Sequence, residues 1–171
     1  MPAVMTRIVC LCLLVSPLLP ASAQEFDVSI TIPRLDVAEY HRPYVAFWVS
    51  DESNGHILDL EVWYDTGLAD LEGNKWLKDM RQWWRRSGRT LDMPVDGLAA
   101  ATRPQGQHDL SFTDKVSELE PGNYQLNIEA VREVGGREML QIPFTWPPAA
   151  ATTETASGDV ELGEVRLVLS P

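Results

Sequence analysis

Cysteine is almost missing from this sequence: its two cysteines, Cys10 and Cys12, both fall near the start. That start reads as a secretory signal. Met1 to Arg7 carries one basic residue and no acidic one, Ile8 to Leu19 is almost unbrokenly apolar, and Ala21-Ser22-Ala23 offers the small residues a signal peptidase needs. The apolar run is too short to span a bilayer and is broken by Pro17 and Pro20, which disfavours a membrane anchor. Cleavage after Ala23 places Gln24 to Pro171 in the periplasm or otherwise outside the cytoplasm. That chain has no thiol for a disulfide, a haem thioether, an iron–sulfur cluster or a thiolate zinc site. Any redox role then requires a bound cofactor.

Histidine is scarce as well. His41, His56 and His108 share no metal-ligand spacing, so surface roles are expected and no metal site. No serine sits in a nucleophile-elbow sequence, which leaves a free-standing hydrolase without support. Asp51-Glu52-Ser53-Asn54-Gly55 lacks the ligand spacing and terminal glutamate of a calcium loop and reads as a polar turn. Positive charge is also short, with 14 Lys and Arg against 25 Asp and Glu, a net charge of -11 that becomes -12 when Arg7 leaves with the signal. Such acidity argues against nucleic-acid binding and allows at most a peripheral place at an anionic membrane.

What remains is rich in strands, and Gln24 to Pro171 suits one domain. Phe26, Val28, Ile30 and Ile32 alternate with polar residues, as in a half-buried edge or outer strand. Tyr44 to Val49 is apolar on both faces and suits a strand covered on both sides. Leu58, Leu60, Val62 and Tyr64 alternate after an Asn54-Gly55 hairpin turn. Tyr124, Leu126, Ile128 and Ala130 form another such set, and Gly135-Gly136 turns the chain into Met139 to Trp146. A bulge at Gly163 would keep Val160, Leu162, Val165, Leu167 and Leu169 on one face, and Pro147 to Gly158 reads as a long loop. These short strands predict an all-β, immunoglobulin-like β-sandwich over residues 24–171, with one inserted α-helix and no inter-sheet disulfide.

The helix is predicted over Lys75 to Arg86, capped by Asn74, with Trp76, Met80 and Trp83 on one face. It lies in a basic island where Lys75, Lys78, Arg81, Arg85, Arg86 and Arg89 face Asp79 alone. Six tryptophans are present (Trp48, Trp63, Trp76, Trp83, Trp84 and Trp146), most of them suited to core packing. Trp83 and Trp84 diverge by about 100° on a helix, so both cannot point into one core. With Arg85 and Arg86 they offer aromatic faces for a planar ring and guanidinium forks for a phosphate. Alternatively, the arginines lie over the tryptophans as a solvated face.

After the helix comes Asp96-Gly97-Leu98-Ala99-Ala100-Ala101-Thr102. This run resembles the site at which flavin transferases attach FMN to exported redox proteins: Asp, two variable residues, Ser or Thr, Gly, Ala and the acceptor Thr. Asp96, Ala101 and Thr102 match, whereas Ala99 and Ala100 replace the hydroxyl residue and the glycine. Thr102 would be the acceptor, with Asp96 assisting recognition. An Ala-rich connection without modification is the other reading.

Arg42-Pro43-Tyr44-Val45-Ala46-Phe47-Trp48-Val49, Lys75-Trp76-Leu77 running on to Trp83-Trp84-Arg85-Arg86-Ser87-Gly88-Arg89, Ala101-Thr102-Arg103-Pro104, and Gly122-Asn123-Tyr124 leading to Glu129-Ala130-Val131-Arg132-Glu133 resemble the DUF 2271 family of predicted periplasmic proteins. The resemblance covers nearly all of residues 24–171. It implies a small exported partner of PepSY-domain membrane proteins, served by a flavin transferase and engaged in electron transfer or iron reduction. A redox accessory carrying FMN on Thr102, beside Trp83, Trp84, Arg85 and Arg86, is the first expectation, as an electron carrier rather than a stand-alone enzyme. A non-catalytic binding module that docks through the Trp/Arg-rich helix is the second.

Overall fold

Nine strands follow one another in the computed structural model, which describes residues 24–171. They are β1 (Glu25–Ile32), β2 (Tyr44–Asp51), β3 (His56–Tyr64), β4 (Ala99–Ala101), β5 (Gly106–Ser111), β6 (Gly122–Val131), β7 (Arg137–Trp146), β8 (Thr152–Ser157) and β9 (Glu164–Ser170). The expected signal segment, with Cys10 and Cys12, lies outside the described residues. One sheet has the order β5-β1-β9-β8 and the other β4-β3-β2-β6-β7, packed as a sandwich. Phe26, Val28 and Ile30 of β1 meet Val45, Phe47 and Val49 of β2 in the core between them. The all-β expectation therefore holds. β1 is not an edge, since it pairs with both β5 and β9; one apolar face is all an inner strand of a half-solvated sheet needs.

β2 is buried on both faces, as its composition predicts. Its second face, Ala46 and Trp48, lies beneath Leu77, Met80, Trp83, Met93 and Leu98 from the long β3–β4 connection. That connection is a crossover, which a parallel pair requires, and β3 and β4 are parallel. It forms a third layer over the five-stranded sheet. β3 departs from simple alternation: the pairing with β2 slips between Phe47 and Trp48. Leu58 and Leu60 consequently face the inter-sheet core, while Val62 and Tyr64 face the crossover layer.

The crossover is not one helix capped by Asn74. A 3₁₀ segment, Ala69–Asp79, ends at Met80 (φ -76°, ψ 73°), and a short helix, α1 (Arg81–Arg86), follows. The buried residues are Leu77, Met80 and Trp83, three apart, which suits 3₁₀ winding; Trp76 stays 44 % exposed. Asn74 donates its amide to Met93 O at 2.6 Å instead. The cap of α1 is Glu129 of β6, fully buried, which accepts from Gln82 N–H and Trp83 N–H at 2.9 Å each. A second helical turn, α2 (Thr113–Val116), follows β5.

Two further expectations change. Pro147 to Gly158 is not all loop, because Thr152–Ser157 pairs with β9 as an edge strand; its threonines favour extended backbone but show no apolar alternation. Val160 is 48 % exposed, and Gly163 belongs to the turn before β9, where its N–H donates to Thr31 O at 2.8 Å, rather than to a bulge. The β6–β7 hairpin turns at Gly135-Gly136 as expected, with its left-handed residue at Val134 (φ 54°). Gly135 is there for close approach: a Cβ would lie 2.5 Å from the Arg132 guanidinium carbon.

Candidate functional site

Thr102 follows β4, and the fold ties down both its own backbone and the turn that leads to it. Its N–H donates to Tyr64 O at 3.2 Å, Val62 N–H donates to Leu98 O at 2.8 Å, and the Lys115 ammonium of α2 donates to Leu60 O and Gly97 O. Burial lowers the Lys115 pKa despite the neighbouring Glu61 and Asp59. Gly97 makes the turn with φ +73°. Ala100 pairs with Trp63 in β4 and is not among the left-handed residues, so alanine fits this backbone where the flavin-attachment pattern has glycine.

Thr102, half-buried, lines a cleft of about 590 Å³ together with Tyr40, Arg42, Tyr44, Trp76 and Arg132. Tyr44 and Trp76 reach it through one device. The chain between β3 and the 3₁₀ segment folds back so tightly that a Cβ on Gly73 would lie 2.0 Å from Asp65 O, and Tyr44 Oη donates to Gly73 O at 3.5 Å. Burial raises the pKa of both Tyr40 and Tyr44, which keeps both hydroxyls protonated and able to donate.

Arg132 is 7 % exposed and is held by Glu161 through Nε (2.8 Å) and Nη2 (3.2 Å), with Gly136 N–H completing the carboxylate's contacts at 2.6 Å. Its Nη1 has no partner among the described residues. Glu161 is placed by Glu138 of β7, whose carboxylate gathers the N–H groups of Asp159, Val160, Glu161 and Leu162. Burial raises the Glu138 pKa, but the four backbone donors outweigh it and the net shift is downward.

The other residues expected at a cofactor site are elsewhere. Trp83 is fully buried, donates Nε1–H to Asp59 Oδ1 at 2.9 Å and presents no face to a ligand. Trp84 and Arg85 border a separate, shallower groove with Lys78, Arg81, Gln82 and Arg137. Arg86 turns back to Gln82 Oε1 (2.6 Å) and Asn54 O (3.3 Å), and Asp96 is exposed. The crossover therefore serves the Thr102 cleft through Trp76 of its 3₁₀ part and not through α1. Trp76, Tyr44 and Arg42 were not singled out from the sequence as site residues, although Arg42-Pro43-Tyr44 and Lys75-Trp76 stand in the segments that carry the family resemblance.

The histidines are dispersed. His41 meets Glu39 (3.0 Å) and Glu133 (3.5 Å), His56 meets Asp59 (3.0 Å), and His108 meets Pro104 O (2.8 Å). Ser87 Oγ donates to Asp59, not to His56, so this Ser, His and Asp set has no activated nucleophile.

The model of a family described as predicted periplasmic protein (DUF2271) matches residues 25–164. The chain belongs to this family. No curated protein and no solved structure matches it. The DUF2271 match takes in the whole Thr102 cleft, the crossover layer and the Glu138–Glu161–Arg132 relay.

Proposed function

We propose that this protein is a periplasmic redox accessory that carries FMN as a phosphoester of Thr102 and exchanges electrons with a membrane partner of the PepSY type. The observation that carries this reading is that Thr102 opens into the same cleft as the exposed face of Trp76 and the guanidinium-bearing Arg42. The cleft's volume falls in the range of small-molecule sites, roughly 300–1,000 Å³. A flavin held there would supply the reversible electron chemistry that residues 24–171, which lack cysteine, do not offer through a thiol.

Attachment makes one bond and breaks one. Thr102 Oγ bonds to the flavin phosphorus, the phosphoanhydride of an activated flavin dinucleotide breaks and its other half leaves as a nucleoside monophosphate, and the hydroxyl proton passes to a base of the transferase. Thr102 Oγ is the acceptor because its backbone is fixed at the mouth of the cleft. Arg42 would hold the phosphate, and Trp76 would lie against the ring. Tyr40, whose hydroxyl has no partner among the described residues, would donate a hydrogen bond from the wall, while the Tyr44 hydroxyl is engaged by Gly73 O.

The test is the intact mass and visible spectrum of protein co-expressed in the periplasm with a flavin transferase, beside Thr102→Ala. An FMN-sized mass increase with a flavin spectrum, both lost in the variant, supports the proposal. An unmodified mass beside a transferase shown to be active on another substrate overturns it.

A further inference from the structure

The crossover layer carries a second concave feature beside the cleft. Lys78, Arg81, Gln82, Trp84, Arg85 and Arg137 line a groove of about 340 Å³ that contains four cationic side chains and no acidic one. Residues 24–171 have a net charge of -12, so this is a local reversal of sign. Among the described residues, Lys78, Arg81 and Arg85 have no acidic partner within 4.0 Å; Arg137 meets only Glu129, which is fully buried. Arg85 Nε donates to Arg81 O at 3.2 Å, leaving both charges uncompensated. Trp84 is half-buried against the crossover core, so its ring is held in place between the cations.

The groove is also rigid, because α1 is tied to the sheet by the Glu129 cap. It adjoins the cleft, for Lys78 lines the groove and the next residue, Asp79, lines the cleft. Arginine and tryptophan are the residue types that dominate interface energetics, and uncompensated cations attract and orient an acidic partner.

We infer that this groove docks a carboxylate-rich segment of the protein that exchanges electrons at the Thr102 cleft. The partner's role rests on the redox proposal; its recognition rests on the groove alone. A protein segment is favoured over an anionic lipid surface because a single acidic segment can enter the groove alone, whereas a flat anionic surface would also face the acidic remainder of the protein. The groove is, moreover, concave, and its Trp84 is half-buried.

The test uses the secreted, unflavinylated protein, so that its outcome is independent of Thr102. The probe is a fluorescent peptide of alternating Asp and Glu around a central Phe, followed by anisotropy, with an Asn/Gln version of the same peptide as control. The acidic peptide should bind, weaken at least tenfold between about 20 and 200 mM salt, and weaken at least tenfold in Arg81→Glu/Arg85→Glu. Arg81→Lys/Arg85→Lys should retain most of the binding, and Trp84→Ala should lose several-fold with the charges intact. Absence of peptide binding, equal binding by the neutral peptide or by the charge-reversed variant, or binding to phosphatidylglycerol vesicles in place of the peptide, would each overturn the inference.

Discussion

The carboxylate of Glu129 on β6 accepts the main-chain N–H of Trp83 at 2.9 Å, and so joins the inner sheet to the first turn of α1 from beneath. It also accepts from Gln82 N–H and from Arg137 Nη1 at 3.0 Å. A charge with no exposed surface is tolerable only because every donor around it is used.

Removing that charge should cost more than a surface pair. Glu129→Ala leaves the helix N–H groups unsatisfied and is expected to destabilise the protein by about 3 kcal/mol. Glu129→Gln keeps one acceptor and should cost nearer ~1 kcal/mol. Urea unfolding followed by tryptophan fluorescence checks both; equal, small losses would show that the cap contributes little.

Glu138 makes a prediction in pH. Its carboxylate holds the turn before β9, and through it Glu161 and the cleft residue Arg132. The folded-state pKa lies below the ordinary 4.5 because four backbone donors stabilise the anion against the penalty of burial. The stabilisation is therefore fully present above pH 4.5 and is lost as pH falls through the lower folded value. Glu138→Gln should remove this part of the acid sensitivity and lower the neutral-pH Tm by about 2–4 °C, the effect of ~1 kcal/mol in a domain of this size. Thermal melts from pH 3 to 7 on the two proteins provide the comparison, and parallel curves would count against the assignment.

Strands such as β1 were legible because burial is written into alternate residues from Phe26 to Ile32, whereas β4, β5 and β8 carry no apolar alternation and were not read as strands. The β2–β3 turn was legible because Asn54, with φ 66°, is a residue type that tolerates the left-handed region. Tertiary choices were not. Leu58, Leu60, Val62 and Tyr64 read as one face, and only the slipped pairing opposite Trp48 divides them between two cores. Trp76 reads as a core residue by helical spacing, yet 3₁₀ winding buries Leu77 and turns Trp76 outward. The acceptor candidate Thr102 was visible as a motif. Its neighbours Arg42 and Tyr44 lie about sixty residues away in the sequence, and the crossover that brings Trp76 to them leaves no local signal.

Gly73 offers a test of the cleft's shape that does not touch its polar groups. A methyl group there would sit 2.0 Å from the Asp65 carbonyl oxygen, a backbone atom that cannot swing aside. Gly73→Ala should therefore push the β3–crossover loop outward and move Trp76 relative to Thr102. The expected outcome is a folded protein, destabilised by about 1–3 kcal/mol, with altered Trp76 indole NMR shifts and reduced flavin loading by a transferase. Unchanged indole shifts would mean that the loop absorbs the methyl without altering the cleft.

Lys115 bears on how firmly Thr102, the proposed acceptor, is presented. Its ammonium spans Leu60 O on β3 and Gly97 O in the turn before β4, so it closes the turn onto the sheet edge from which Thr102 projects. β4 is only three residues long and pairs with β3 alone, which leaves little else to hold it. In Lys115→Met the buried aliphatic stem is retained and the two carbonyls lose their donor, at a cost of about 1–3 kcal/mol confined largely to this edge. Hydrogen exchange at the Thr102 amide, bonded to Tyr64 O in the native protein, should accelerate by at least tenfold while amides in β2 and β6 keep their protection. Faster exchange with faster flavin attachment would show that the transferase works on an opened edge; faster exchange with slower attachment would show that it needs the fixed one.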